Sequence, residues 1–178
     1  MIDIKNFKET FTASCGFRLA TYTDSQMILN WRNADHIRKY MHHQDVIPLE
    51  NHEKWFLNIL ESTEDLYFIY HLHQRPIGLL CFNKIHGFTA EWGFYLGETR
   101  LPQGTGTDML KKGIDLAFNH IQLQIITAKI IENNTHSVYL HKKIGFQHCN
   151  LLHTNLKNKK SRIIHVKYCQ QKNLSPIT

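Results

Sequence analysis

The stretch Glu91–Asp108, EWGFYLGETRLPQGTGTD, decides how this chain is read: an alternating strand pattern runs into a glycine-punctuated loop, and the loop opens a helix. Gly104 and Gly106 carry no side chain, so the backbone can come close to an anion, and the unpaired N–H groups of the first helical turn, from about Thr105, point towards it. The spacing suits a pyrophosphate cradle but not the two commoner nucleotide loops. A P-loop needs GxxxxGK followed by Ser or Thr, and the dinucleotide motif needs a third glycine where Thr107 and Asp108 stand.

Working outward, the segment Gln124–Phe146, QIITAKIIENNTHSVYLHKKIGF, reads as a β-rich strand, an Asn-rich helix start and a helix closed by Gly145. Between it and the loop, Leu110, Ile114, Ala117 and Ile121 form one helical stripe. Upstream lie strands at 66–71, 76–83 and 89–96, with turn signals at Gln74-Arg75-Pro76 and His86-Gly87 that make an antiparallel meander. Before these come a strand at 17–22 and a helix capped by Asp24, which carries Met27, Trp31, Ala34, Ile37 and Met41 at spacings of three and four. Pro48 starts a second helix, with His52, Trp55, Phe56 and Ile59 on one face. Two strands, 147–156 and 162–168, close the chain around the basic turn KNKKSR at 157–162. The first dozen residues and the tail QQKNLSPIT are expected to fray.

Composition narrows the class further. A chain of 178 residues with 42% hydrophobic content suits one domain over 1–178 with its core at about 16–169. No apolar run reaches membrane-spanning length and the N-terminus lacks a signal-peptide pattern, so a cytoplasmic protein without a membrane partner is expected. Cys15, Cys81, Cys149 and Cys169 are widely spaced and read as reduced thiols. Thirteen histidines invite a zinc reading, yet no HExxH or Cys/His finger spacing occurs, and no metal is expected. The net charge of +6 is compatible with nucleic acid, lipid or small anions and does not choose among them.

The order AEWGFYLG, then QGTGTD with its helix, then a strand, then NxxSxxLxKKxGF resembles the GNAT family of N-acetyltransferases over about Gly16 to Cys169. The resemblance implies an α/β (α+β) fold: a central, mixed, mainly antiparallel twisted sheet flanked by helices, with splayed strands holding acetyl-CoA. It places pantetheine along Phe94, Tyr95 and Leu96 and the pyrophosphate on Gln103, Gly104, Thr105, Gly106 and Thr107. The Arg or Gln that often opens this motif is replaced by Leu101. Asn134 and Ser137 on the later helix complete the implied cofactor contacts. His141 stands where the family often has a Tyr that protonates the coenzyme A thiolate, and Glu91 stands where relatives carry the carboxylate that takes the amine proton. A backbone N–H near Tyr95 facing the thioester oxygen makes Tyr95 the third catalytic candidate.

The acceptor side is implied by the first two helices. NWRNADHIRKYM and IPLENHEKWF resemble the acetyltransferases of pseudaminic acid biosynthesis, which acetylate the free amine of a UDP-linked 4-amino-4,6-dideoxy sugar. The positions carried over are Arg32, Met41, His42, His52 and Trp55, where arginine can grip a diphosphate with two donors and Trp55 can stack on uracil or a sugar face. The expected partner is that small-molecule UDP-amino sugar, with no nucleic acid and with a homodimer left open. Two rivals stand beside this reading. AEWGFYLG and ENNTHSV also resemble the acetyltransferases of ribosomal-protein N-termini, and a noncatalytic module binding coenzyme A would share the same loop.

Overall fold

The protein is described by a computed structural model over residues 2–13, 16–156 and 159–170. The elements run α1 (Ile4–Thr10), β1 (Phe17–Leu19), a 3-10 turn (Tyr22–Asp24), α2 (Ser25–Asn33), α3 (Asp35–Arg38), α4 (Leu49–Glu61), β2 (Leu66–Leu72), β3 (Arg75–His86), β4 (Thr89–Leu96), α5 (Thr105–Asp115), β5 (Ile125–Ile131), α6 (Thr135–Lys143), β6 (Gln147–Leu156) and β7 (Lys159–Cys169). α5 runs on as a π-helical turn over Leu116–His120. The strands form one seven-stranded sheet in the order β1-β2-β3-β4-β5-β7-β6. Among the described residues no helix is long and apolar enough to cross a membrane.

Both sheet faces are covered, which explains why β3 is buried continuously from Ile77 to Phe82 rather than at alternate positions. On one face α1, α5 and α6 pack over Phe68, Leu80, Phe82, Trp92 and Ile126, burying Met109, Leu110, Ala117 and Leu140. On the other, Ile28, Trp31, Ile37 and Phe56 of α2–α4 pack over Ile69, Leu79 and Cys81.

The hairpins follow local chemistry. The β2–β3 turn is the two-residue His73-Gln74, both at positive φ (48° and 65°), as the tight right-twisted hairpin demands. β4 is antiparallel to β3 along its length but meets β5 in parallel at only three pairs, Thr89↔Ile125, Ala90↔Ile126 and Glu91↔Thr127. Beyond Glu91 the strands part, and β5 continues against β7 alone. The splayed sheet expected from the resemblance is therefore present.

Two expectations need correction. The helix expected to run through Met41 breaks at Ala34, whose ψ is 135°, and restarts at Asp35. At the break the Asn33 side chain ties α2 to the loop before α4, accepting from the Ile47 N–H (2.8 Å) and donating to the Ile47 carbonyl (3.0 Å). The N-terminal dozen is not frayed either. Ile4 is buried in the core with Phe7 and Phe11 packed against it, and Lys8 Nζ reaches the carbonyls of Ile59 (3.3 Å), Leu60 (3.0 Å) and Ser62 (2.7 Å) at the C-terminal end of α4. The expected basic turn falls partly on residues 157–158, and the tail on 171–178, outside the described residues.

Just past β4, Gly97 donates to the Ile77 carbonyl (2.8 Å) beneath the Trp31 ring, and Trp31 Nε1 donates to Glu98 Oε1 (3.2 Å). A Cβ on Gly97 would lie 2.1 Å from the Trp31 ring. Gly97→Ala is therefore expected to lower the unfolding free energy by about 1–3 kcal/mol in urea titrations, the range for forced overpacking, and a change below about 0.5 kcal/mol would show that the ring moves aside freely.

Candidate active site

The parting of β4 and β5 opens a cavity of about 770 Å³ that runs from the first turns of α5 and α6 to the inner faces of α2–α4. On its cofactor side, Gly104 caps α5 with a φ of +91°, a conformation that favours glycine, and offers no side-chain oxygen to the helix. Thr105 folds its hydroxyl back on the Pro102 carbonyl (2.8 Å), and Asp108 N–H closes on Gly104 (3.0 Å). The N–H groups of Gly106 and Thr107 find no acceptor among the described residues, so the turn is open to an anion at the positive end of the helix dipole. Gln103 is exposed at the outer rim of the loop, whereas Gly106 lines the cavity.

The strand edge supplies a second set of backbone groups. Gly97 N–H bonds to Ile77 across the β3–β4 ladder, and the register Leu79↔Tyr95 continues this in steps of two. Tyr95 and Gly93 thus commit their backbone groups to β3, while Phe94 and Leu96 turn theirs towards the cleft. Phe94 and Leu96 fit the expected pantetheine contacts. Tyr95 does not: the N–H expected to face a thioester oxygen belongs to its neighbours, and Tyr95 contributes its side chain to the acceptor face instead. Across the cleft Asn134 caps α6, accepting from Ser137 N–H (3.2 Å), and both residues line the cavity. Open N–H groups, an unpaired strand edge and a helix start are the donor set a diphosphate and a pantetheine amide chain require, so the residues fit acetyl-CoA.

His141, the residue expected to protonate the thiolate, is buried rather than solvent-facing. It is 3% exposed, packed among Trp92, Phe94 and Phe146. Trp92 Nε1–H donates to its Nε2 (3.1 Å), which fixes the tautomer, so Nδ1–H donates to the Ser137 carbonyl (2.8 Å). Burial pushes its pKa down to about 4, with the Ser137 bond opposing. A neutral ring with both nitrogens engaged holds Trp92 to α6 and has no free proton to deliver.

On the acceptor side, Arg32, Met41, His42, His52 and Trp55 all line the cavity. Arg32 Nη2 donates to the His43 carbonyl (2.9 Å), but Nη1 is buried without a partner. Burial lowers the guanidinium pKa; Tyr95 opposes that shift and Arg38 adds to it. His52 is buried, donates through Nε2 to the Ser25 carbonyl (2.9 Å) and stacks on Phe56. Trp55 is 40% exposed and stands edge-on to Tyr67. Alternation on β4 sends Glu91, Gly93 and Tyr95 to this acceptor face and Trp92 and Phe94 to the α5–α6 core. Glu91 Oε2 is bound by Lys129 Nζ (2.5 Å), with Lys84 Nζ 4.0 Å away. Burial, then Cys81, raises the Tyr95 phenol well above its ordinary value, so it remains a donor. Lys129, Tyr67, Cys81 and Asn83 also line the site and were missed from sequence. Only Lys129 had a signal, in the alternation of TAKII that turns it to the same side as Thr127.

The acetyltransferase (GNAT) domain family matches residues 15–147 of this chain. The chain belongs to that family, and it is an N-acetyltransferase by class. Among curated relatives, it is 23% identical over 146 residues to acetyltransferase PseH of Campylobacter jejuni subsp. jejuni serotype O:23/36 (strain 81-176), covering 82% of this chain and 85% of the relative. Two solved structures share the fold. A spermidine N-acetyltransferase from Vibrio cholerae, in complex with CoA and spermine, superposes with a TM-score of 0.79 at 17% identity, covering 86% of this chain and 94% of that one. A ribosomal-protein-alanine N-acetyltransferase from Brucella melitensis gives 0.71 at 18% identity, covering 86% and 98%.

The burial of His141 has a measurable consequence. In the unfolded chain an ordinary histidine takes up a proton below about pH 6.5, whereas the folded His141 stays neutral down to about 4. The unfolded state binds more protons throughout that window, so this contribution is complete above pH 6.5 and is lost as pH falls towards 4. A shift of that size amounts to about 3 kcal/mol. Urea unfolding of wild type and His141→Gln at pH 7 and pH 4.5 is expected to show a flatter pH dependence in the variant, and parallel curves would mean that His141 protonates freely in the fold.

Proposed function

We propose that this chain transfers the acetyl group of acetyl-CoA to the 4-amino group of a UDP-linked 4-amino-4,6-dideoxy sugar of the pseudaminic acid type. The observation that carries the acceptor half is Arg32. A half-buried guanidinium on the cavity lining, with one nitrogen buried and unpartnered, is expensive unless an anion completes it, and a diphosphate presents oxygens to match its fork. Nearby Trp55 and Tyr67 offer flat, partly polar surfaces for a uracil or sugar ring, with His52 packed behind Trp55. The cavity volume of about 770 Å³ lies within the range of small-molecule sites. The relative named PseH supports the same direction.

When bound, acetyl-CoA supplies an activated acetyl thioester. In this reading Gly104, Gly106 and Thr107 hold the pyrophosphate through backbone, Phe94 and Leu96 align the pantetheine, and Asn134 and Ser137 border it. Arg32 holds the diphosphate of the acceptor, so that the sugar amine points towards the junction of β4 and β5. Tyr95, kept protonated by burial, offers a hydrogen bond beside Arg32.

Mass spectrometry of acetyl-CoA incubations with UDP-4-amino sugars, peptide N-termini and polyamines tests the acceptor directly. Acetylation of the nucleotide-sugar is expected; modification of peptide N-termini alone would transfer the function to the ribosomal-protein type. Arg32→Lys keeps the charge but loses the fork, and is expected to lower acceptor kcat/KM by about 1 to 3 kcal/mol while the KM for acetyl-CoA stays within about twofold. Gly104→Val, at a φ of +91°, is expected to raise the CoA dissociation constant at least about tenfold by calorimetry. An unchanged affinity in the folded variant would remove the loop from the cofactor site.

A further inference from the structure

Resting on the reading of Arg32 as the anchor of the acceptor's diphosphate, we infer that Trp31 and Glu98 are positioning residues for the transfer. Together they fix where Arg32 stands relative to the cofactor edge of β4. Neither belongs to the cavity lining, so both act through their neighbours.

The contact begins at Leu96-Gly97-Glu98, where the chain leaves β4 for the loop that ends at Gly104. Gly97 and Glu98 both donate their N–H groups to the Ile77 carbonyl, at 2.8 and 3.4 Å, so the backbone stays tied to β3 beyond the end of the strand. The buried Trp31 indole of α2 lies over this backbone: a Cβ on Gly97 would fall 2.1 to 2.4 Å from its Cδ2, Cε2 and Cγ atoms. The same ring meets Tyr95 edge-on, with centroids 6.5 Å apart. Its Nε1–H donates to Glu98 Oε1 (3.2 Å), and Glu98 Oε2 is paired with Arg75 Nη2 at the start of β3. A buried indole N–H needs an acceptor, and a carboxylate already held by an arginine is not free to swing away from it. Backbone, aromatic edge and carboxylate thus hold one ring, and α2 cannot slide along β4 without breaking one of these contacts.

Arg32 is the next residue on α2. Its Nη2 donates to the His43 carbonyl (2.9 Å), its Nη1 is buried without a partner, and the residue lines the cavity. Because Trp31 and Arg32 share a peptide unit, fixing the indole fixes the root of the arginine side chain. On the other side of the contact, Leu96 precedes Gly97 and turns its backbone groups towards the cleft. The acceptor's anchor and the edge that aligns the pantetheine are therefore joined through Arg32, Trp31, Gly97 and Leu96 in direct succession. When an amine attacks a thioester directly, the separation of those two anchors decides whether nitrogen meets the carbonyl carbon, and a misplacement of about 1 Å can cost about 10²-fold in rate. The Arg75–Glu98 pair, by contrast, adds little to folding, since the Arg75 side chain is largely exposed. A strong effect on turnover with a small one on stability is the signature of positioning.

Steady-state kinetics of the full chain separates this role from support of the fold. Glu98→Ala removes the indole's acceptor and Arg75's partner, Glu98→Gln keeps an oxygen for the indole, and Trp31→Phe keeps a ring over Gly97 without the donor. At saturating acetyl-CoA and UDP-4-amino sugar, Glu98→Ala is expected to lower kcat by about 10- to 100-fold, with the CoA dissociation constant within about twofold of wild type. Glu98→Gln and Trp31→Phe are expected to fall between it and wild type. In an Arg32→Lys background, Glu98→Ala is expected to cost less than about threefold, because the group it positions is already gone. The methyl glycoside of the same amino sugar has no diphosphate to anchor, and is expected to be acetylated at the same rate by wild type and Glu98→Ala. An equal loss on both acceptors or in both backgrounds, or a Glu98→Ala variant within about threefold of wild type on the nucleotide-sugar, would overturn the positioning role and leave the Arg32 reading in place. Arg32→Lys with wild-type use of the nucleotide-sugar, or a wild type that acetylates only peptides or polyamines, would overturn the Arg32 reading and the positioning role with it.

Discussion

Three register pairs join β4 to β5, and their number is the constraint on which the rest of the molecule turns. A longer pairing would satisfy the backbone of Phe94 and Leu96 and close the sheet. A shorter one would leave β5, with β7 and β6 behind it, without a fixed relation to the meander. With the ladder ending at Glu91, the sheet stays continuous while presenting an unpaired edge to a ligand. The anion-seeking start of α5 and the cap of α6 both open onto this gap. Trp92 sits beside the divergence and is tied by its indole N–H to His141, so the two walls are linked through a side-chain hydrogen bond where backbone bonds have ceased.

Electrostatics divide the cavity along its length. The cofactor wall works with backbone dipoles, which attract a diphosphate without titrating. The acceptor wall works with side chains whose charges are unevenly matched: Arg32 has a buried nitrogen without a partner, while Glu91, a carboxylate lining the cavity, is already taken by lysines. The net charge of +6 is too coarse to reveal this, since it sums solvated groups with the few that face the ligand.

What could be read from sequence was what short-range pattern encodes. The meander, the glycine turn before α5 and the Gly145 close of α6 depend on residues within a few positions of one another, and each stands where periodicity and turn chemistry put it. What could not be read depends on partners far along the chain. Asn33 at the helix break is bonded to Ile47, Glu91 is paired with Lys129 on another strand, and His141 is packed against Trp92, which arrives from 49 residues away. The short helix α1 escaped because its one buried residue, Ile4, and its aromatic contacts make no period long enough to stand out. The acceptor positions gathered on one cavity wall, but their separate roles depend on hydrogen bonds that a sequence pattern does not carry.

The bond network of Lys8 bears on where this protein can be cut. The segment matching the acetyltransferase family spans 15–147, so it leaves out α1, almost all of β6 and all of β7. Yet Lys8 ties off the C-terminal end of the helix that bears His52 and Trp55, and β7 is the partner of β5 along the far wall of the cleft. Expression boundaries drawn at the edges of family similarity would strip support from both walls while leaving nearly every ligand-facing residue in place. Homology marks where relatives agree; the self-supporting unit is larger.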